Sequence, residues 1–294
     1  MFLAKLVGII PACSKIDFQM THSHPISEEQ EDCMRFRSLV GMGILSSWAV
    51  VTVAHAAPRF TLGNVPSYYQ GTFGTGSHIN IFYDATYFQF RNRDLRLKLM
   101  VPYISVSGLP QGARLTGGGI VHRPGTTQTQ NSASGLGDIW LSAHYTVYQR
   151  TGLLPAVVPY AKVKLGTASA TNGLGTGRND YEIGVGLDET IGTRIFPFAH
   201  LGYRFVGNPA GGNLHNIWTY DMGSSFVATP RNILTAMFSG SESEQPGYAG
   251  PADIVFAWNY NVTRAGSGIQ LYADKGLSNG SANYGVGLGA QIVF

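Results

Sequence analysis

Charged side chains are sparse in this sequence, and many fall at alternate positions within short apolar segments. Arg96 and Lys98 are one residue apart in LRLKLMVPY, Lys162 and Lys164 likewise in YAKVKL, and His200 and Arg204 keep even spacing in FAHLGYRF. Alternation is the period of a β-strand, whose successive side chains point to opposite faces. Charges confined to one face of such strands suit a solvated interior that admits solutes and selects among them. The same parity groups His144, Glu182, Asp188, Asp221 and Asp274 with them, together with Asp84 and Asp253. The opposite face carries Leu95, Leu97, Leu99, Val101 and Tyr103 in one segment and Val157, Ala161, Val163 and Leu165 in another.

Other chemistries fit less well. Ser142 and His144 share a face, as a hydroxyl nucleophile and its base would need, but no third group is evident to orient the histidine. Outer-membrane lipid hydrolases also act on the lipid side, whereas this pair points inward, so no catalytic residue is expected. The glycine-rich GLGTG at 173–177 precedes a strand instead of opening a helix, so it reads as an external turn, not a phosphate cradle. The eight histidines are dispersed without metal-ligand spacing, so neither a metal nor a cofactor is expected. Both cysteines, Cys13 and Cys33, lie near the start of the chain, which leaves the remainder without disulfides or thiol chemistry.

The elements that position these charges follow from composition and pattern. Of 294 residues 13% are charged and 12% aromatic, with 38 glycines. A charged fraction near half the ~25% of soluble domains leaves the surface covered by something other than charge. The sequence has no stretch of about 18 apolar residues, so a membrane-spanning helix is not expected. Low charge with abundant glycine and tyrosine instead suits a β-barrel facing lipid.

Residues 34–56, MRFRSLVGMGILSSWAVVTVAHA, have the layout of a cleaved signal peptide: Arg35 and Arg37, an apolar stretch, then Ala54-His55-Ala56. Residues 1–33 then read as a leader or a start codon assigned too early, and 57–294 as the mature barrel. From residue 57 onward, 16 basic side chains face 12 acidic ones, too few and too scattered for nucleic-acid binding.

Alternating segments lie at 79–90, 95–106, 138–149, 156–166, 180–190, 195–206, 215–227, 232–240, 252–261, 268–277 and 281–294. Most approach the ~9–11 residues that a tilted strand needs to cross a bilayer. Short connections alternate with long ones at 107–137, 167–179, 207–214 and 241–251, matching the short periplasmic turns and long external loops of outer-membrane barrels. For both ends of the barrel to lie in the periplasm, one more strand must precede residue 79. The segment 59–74 is the candidate, despite Pro66, and it brings the total to an even twelve. In the last strand Tyr284, Leu288, Gly289, Ile292 and the terminal Phe294 form the pattern that barrel proteins present to the outer-membrane assembly machinery.

The motifs GLGD (135–138), KVKLGT (162–167), GLGTGRNDY (173–181) and LGYRFVG (201–207), in this order, resemble the outer-membrane transporter family associated with the meta-pathway of phenol degradation. The resemblance implies a barrel that transports small molecules, aromatic or hydrophobic compounds in some cases, and brings no catalytic residues. Lys162, Lys164, Asp180 and Tyr181 match the family motifs, with structural roles.

The expectation is an all-β, antiparallel up-and-down barrel of about twelve strands in the bacterial outer membrane, with the bilayer and a small solute as its partners. Its pore-lining candidates are Arg96, Lys98, His144, Lys162, Lys164, Glu182, Asp188, His200, Arg204, Asp221 and Asp274, with the 107–137 loop as a partial plug. The alternatives are a closed structural barrel acting through its external loops and, third, a lipid-modifying enzyme.

Overall fold

The computed structural model describes residues 58–117, 119–121, 130–151 and 154–294. The expected leader at 1–33 and signal peptide at 34–56 lie outside the described residues. The strands are β1 (Arg59–Gly71), β2 (Ile79–Arg91), β3 (Leu95–Pro110), β4 (Arg114–Thr116), β5 (Gly119–Val121), β6 (Gln130–Leu136), β7 (Ile139–Tyr145), β8 (Ala156–Leu165), β9 (Asp180–Asp188), β10 (Ile195–Phe205), β11 (Ile217–Val227), β12 (Asn232–Ser241), β13 (Ala252–Asn261), β14 (Gly268–Gly276) and β15 (Tyr284–Val293).

Each wall strand pairs antiparallel with its neighbours, and β1 bonds to both β2 and β15, so the sheet closes on itself. Strands β6 and β7 pair with successive stretches of β3 and together make one wall strand, giving a barrel of twelve. Closure pairs the wall strands on both edges, except that β6 bonds to β3 alone, and such pairing is what lets a sheet sit in hydrocarbon. Pro66, which lacks an N–H, falls where the β1–β15 ladder is interrupted between Asn64 and Ser67, while β1 stays in register with β2 along all 13 residues.

Burial alternates along the wall. In β2 the residues Ile79, Ile81, Tyr83, Ala85 and Tyr87 are buried in the interior while Phe82 and Phe88 are exposed. Leu97, Leu99, Tyr103, Leu187, Leu201, Leu271 and Leu288 are among the large apolar side chains left exposed on the outside. A continuous apolar exterior of this size is a lipid-facing surface, not a soluble one. Aromatic girdles mark both rims: Phe60, Phe226 and Trp258 near the short turns, and Tyr181, Phe205 and Trp218 near the long connections.

Two expectations are corrected. The connection at 107–137 is partly wall: β3 runs to Pro110 and β6 fills 130–136, whereas β7 stops at Tyr145 instead of 149. The segment QNSASGL offers no apolar alternation, so pairing with β3 reveals it where pattern does not. Asp84 is not interior. It shares the outer face with Phe82 and Phe88, where it and Thr86 accept hydrogen bonds from the Asn64 amide at 2.6 and 3.0 Å. The interior face of β2 is itself apolar from Ile79 to Tyr87, so the polarity rule that sorts the other strands reverses there.

Leu201 lies at mid-height of β10 and is 48% exposed, whereas Leu97 lies near the short-turn rim. Leu201→Arg is expected to cost about 2–4 kcal/mol of folding stability in bilayers, Leu97→Arg distinctly less, and the inward Lys98→Ala less still. Urea unfolding followed by heat-modifiable gel migration measures the order, and equal losses would contradict the facing.

Candidate functional site

The interior divides into a charged wall and a largely apolar one, the latter interrupted by buried Asp253 and Asp274 and, near the short turns, by Arg91, Arg96 and Lys98. The apolar wall comes from β1–β3 and β13–β15: Val65, Tyr69, Ile81, Tyr83, Tyr87, Met100, Ile104, Val255 and Tyr272 belong to one buried cluster. Its polar tips are satisfied internally. The Tyr69 hydroxyl donates to the Tyr272 hydroxyl at 2.7 Å, and Tyr272 donates to Ser67 at 2.6 Å. Glycines on β15 make room for these rings, because a Cβ at Gly285 would overlap Tyr69 and one at Gly287 would overlap Tyr272. Gly287→Ala should therefore lower the unfolding midpoint, and Tyr272→Ala in the same chain should relieve the overlap. A double variant no more stable than the sum of the two single changes would refute this interlock.

The charged wall comes from β7–β11. Arg204, with 0% side-chain exposure, donates from Nε and Nη2 to Glu182 Oε2 at 3.0 and 2.9 Å and from Nη1 to Glu244 Oε1 at 3.3 Å. Glu182 Oε1 also accepts from Lys162 at 3.0 Å and from Thr219 and Tyr160 at 3.2 and 3.3 Å. One strand position closer to the long connections, Lys164 lies 2.7 Å from Asp180 and 3.3 Å from Asp138. These residues come from all four motifs quoted above: Asp138 from GLGD, the lysines from KVKLGT, Asp180 from GLGTGRNDY and Arg204 from LGYRFVG. The motifs thus meet in two adjacent sets of buried ion pairs, one around Glu182 and one around Lys164.

A second layer rests on those pairs. The β4–β5 hairpin turns into the lumen, with Leu115 buried and its N–H donating to the Gly173 carbonyl at 2.8 Å. Gly117 at its tip lies against Arg204, Asp180 and Trp140, and the Arg204 guanidinium stands 5.7 Å from the Trp140 ring centroid. The GLGTG segment is consequently an inward-packed turn and not a simple external one. Gly173 needs its positive φ of 74°, and a Cβ there would press on the Ala113 carbonyl.

Nearer the short turns, His200 lies between Asp221, at 2.5 Å from Nδ1, and Asp188, at 3.4 Å from Nε2. Arg96 donates to His144 Nδ1 at 3.1 Å, and the His144 ring stacks on Tyr160. An imidazole nitrogen that accepts from arginine is not free to deprotonate Ser142. Lys98 stands 4.1 Å above the centroid of the Tyr87 ring. Asp274 is buried on β14, and neither carboxylate oxygen has a hydrogen-bond partner among the described residues. All eleven charged and histidine candidates therefore face the interior, in three groups with Asp274 apart. In the last strand Tyr284, Leu288, Ile292 and Phe294 lie on the outer face, while Gly289 faces inward against Val65.

Glu244 and Trp140 complete the set around Glu182 but were not picked out in the sequence: one sits in a long connection and the other looks like a girdle aromatic. Arg91 was missed for another reason. Counting parity along β2 from the buried Ile79 places it inside.

Truncating one member of this buried set should be costly, because it strands opposite charges without a partner. Arg204→Ala is expected to destabilise the barrel by about 3–5 kcal/mol, and replacing all four partners, Arg204, Glu182, Glu244 and Lys162, by Met to recover much of that loss. Chemical denaturation of the three proteins tests the set.

A closed twelve-stranded barrel with an apolar belt, two aromatic girdles and inward-facing charges defines an outer-membrane β-barrel protein. Comparison with solved structures agrees on the fold. An outer membrane channel from Pseudomonas putida F1 superposes with a TM-score of 0.60 at 12% identity, covering 85% of this chain and 100% of that one. The NanC porin follows at a TM-score of 0.49, 11% identity and coverage of 79% and 98%. No protein-family model matches the sequence, and no curated protein does.

Proposed function

We propose that this barrel is an outer-membrane channel for passive or facilitated diffusion of small molecules, aromatic or hydrophobic compounds among them. The observation that carries the reading is the charged wall inside a barrel of twelve strands, wider than the eight whose side chains just fill the interior. Tyr69, Tyr83, Tyr87 and Tyr272 across the lumen are packed in the buried cluster and give that wall an aromatic lining. The pore-lining role falls to the interior groups around Glu182, His200 and Arg96. A crevice at the long-connection rim, lined by Phe73, Thr116, Ile120, Glu244 and Tyr248, is the proposed point of entry beside the hairpin. A signal peptide at 34–56 and assembly through the terminal strand complete this reading.

The inward hairpin and the internally paired ion groups favour one competitor, a closed barrel that acts through its external loops. Single-channel recording of the folded protein in a planar bilayer separates the two. Discrete conductance steps that grow when residues 112–121 are deleted are expected. Silence from inserted, heat-modifiable protein, with or without the hairpin, would establish the closed barrel instead.

A further inference from the structure

The upper ion pairs set Lys162, Lys164 and Arg204 against four carboxylates, whereas the interior near the short turns carries an excess of basic groups. Backbone register places Arg59 opposite Arg91, Arg91 opposite Arg96, and Arg96 opposite His144, at one height across β1, β2, β3 and β7. Lys98, opposite Gln89, stands one inward position above Arg96. Directly opposed side chains in antiparallel strands have Cβ atoms about 4.5–5.5 Å apart, and like charges at that spacing repel. Two carboxylates lie nearby against four basic side chains: Asp221 is held by His200 at 2.5 Å, and Asp188, 3.4 Å from His200, is also the acidic neighbour of Arg91 and Arg96. Arg96 spends one donor on a neutral acceptor, the His144 nitrogen, and Lys98 spends its charge on the Tyr87 ring. A buried carboxyl relieves such strain by taking up a proton, but arginine keeps its charge in any protein setting. The surroundings are aromatic: Tyr87 lies on one side, and the stacked His144 and Tyr160 rings lie on the other, 5.3 Å between centroids.

We infer that the row Arg59, Arg91, Arg96 and Lys98 is a binding step for small organic carboxylates, whose anionic group bridges the guanidinium donors while an apolar or aromatic body lies against the half-buried His144 ring. Guanidinium groups are matched to carboxylates by planar, paired donation, and that ring favours an aromatic body over a hydrated inorganic anion. This inference rests on the channel reading for its purpose but not for its chemistry. It names the solute class at the end of the path nearest the periplasm.

Calorimetric titration of the detergent-folded protein with sodium benzoate reads the binding step whether or not the barrel conducts. Saturable benzoate binding is expected, weakened about tenfold by Arg96→Gln and further by Arg91→Gln, as loss of a charged hydrogen bond predicts. Binding should survive Arg231→Gln, a change in a turn at the same rim, and should be absent for benzyl alcohol. Reversal potentials in a KCl gradient add a second readout: anion preference in the parent chain, diminished in Arg96→Gln with Lys98→Gln. Benzoate binding unchanged in folded Arg96→Gln, or phosphate bound in preference to benzoate, would overturn the assignment. Conductance without anion preference or benzoate binding would overturn it while leaving the channel intact, and benzoate binding in a silent barrel would do the reverse.

Discussion

Backbone hydrogen bonds cannot be left unmade in hydrocarbon, and every other property of this molecule follows from closing the sheet to meet that requirement. Closure forces each strand to show one face to lipid and the other to the interior, so a single sequence period decides both solubility in the bilayer and the chemistry of the lumen. It also fixes how many side chains must share the inside. Twelve strands enclose more than their own inward side chains fill, and the chain uses the surplus to fold a hairpin back into its own lumen.

The lumen is organised by how its charges are answered. Around Glu182 each charge meets opposite partners at hydrogen-bonding distance, and glycine, tyrosine and tryptophan pack beside them. That region behaves as a structural core which happens to be ionic, holding β8, β9 and β10 to a long connection through Glu244. At the other end arginines adjoin arginines. The contrast separates residues that shape the barrel from residues that a passing solute would meet, a distinction that inward orientation alone does not make.

Much of this was legible in the sequence. Alternation located nearly all the wall strands to within one to three residues, and the need for an even count placed β1 where the pattern itself was poor. Three features were not legible, each for a physical reason. β6 is built of small polar residues, so neither face announces itself. Asp84 lies on the outer face because β2 is apolar inside from Ile79 to Tyr87, and polarity was the only guide to facing. The partners of Lys164 and Arg204 depend on inward folding of connections, which brings Asp138, Asp180 and Glu244 to them from positions no strand period links. The short motifs were informative in a way their spacing did not explain: they mark residues that converge only after the barrel closes.

The tyrosine and glycine interlock has a consequence for how such a barrel assembles. Tyr69 on β1 reaches across β15 to Tyr272 on β14, joining residues 203 positions apart, and the glycines of β15 lie beneath both rings. This clasp straddles the seam between the first and last strands. Its contacts are nearly the most distant in sequence that the fold contains, so their loop-closure entropy is met only when the rest of the wall is in place. The seam should therefore be the last part to acquire hydrogen-exchange protection and the first to lose it, so that barrel opening begins where the chain's two ends were joined.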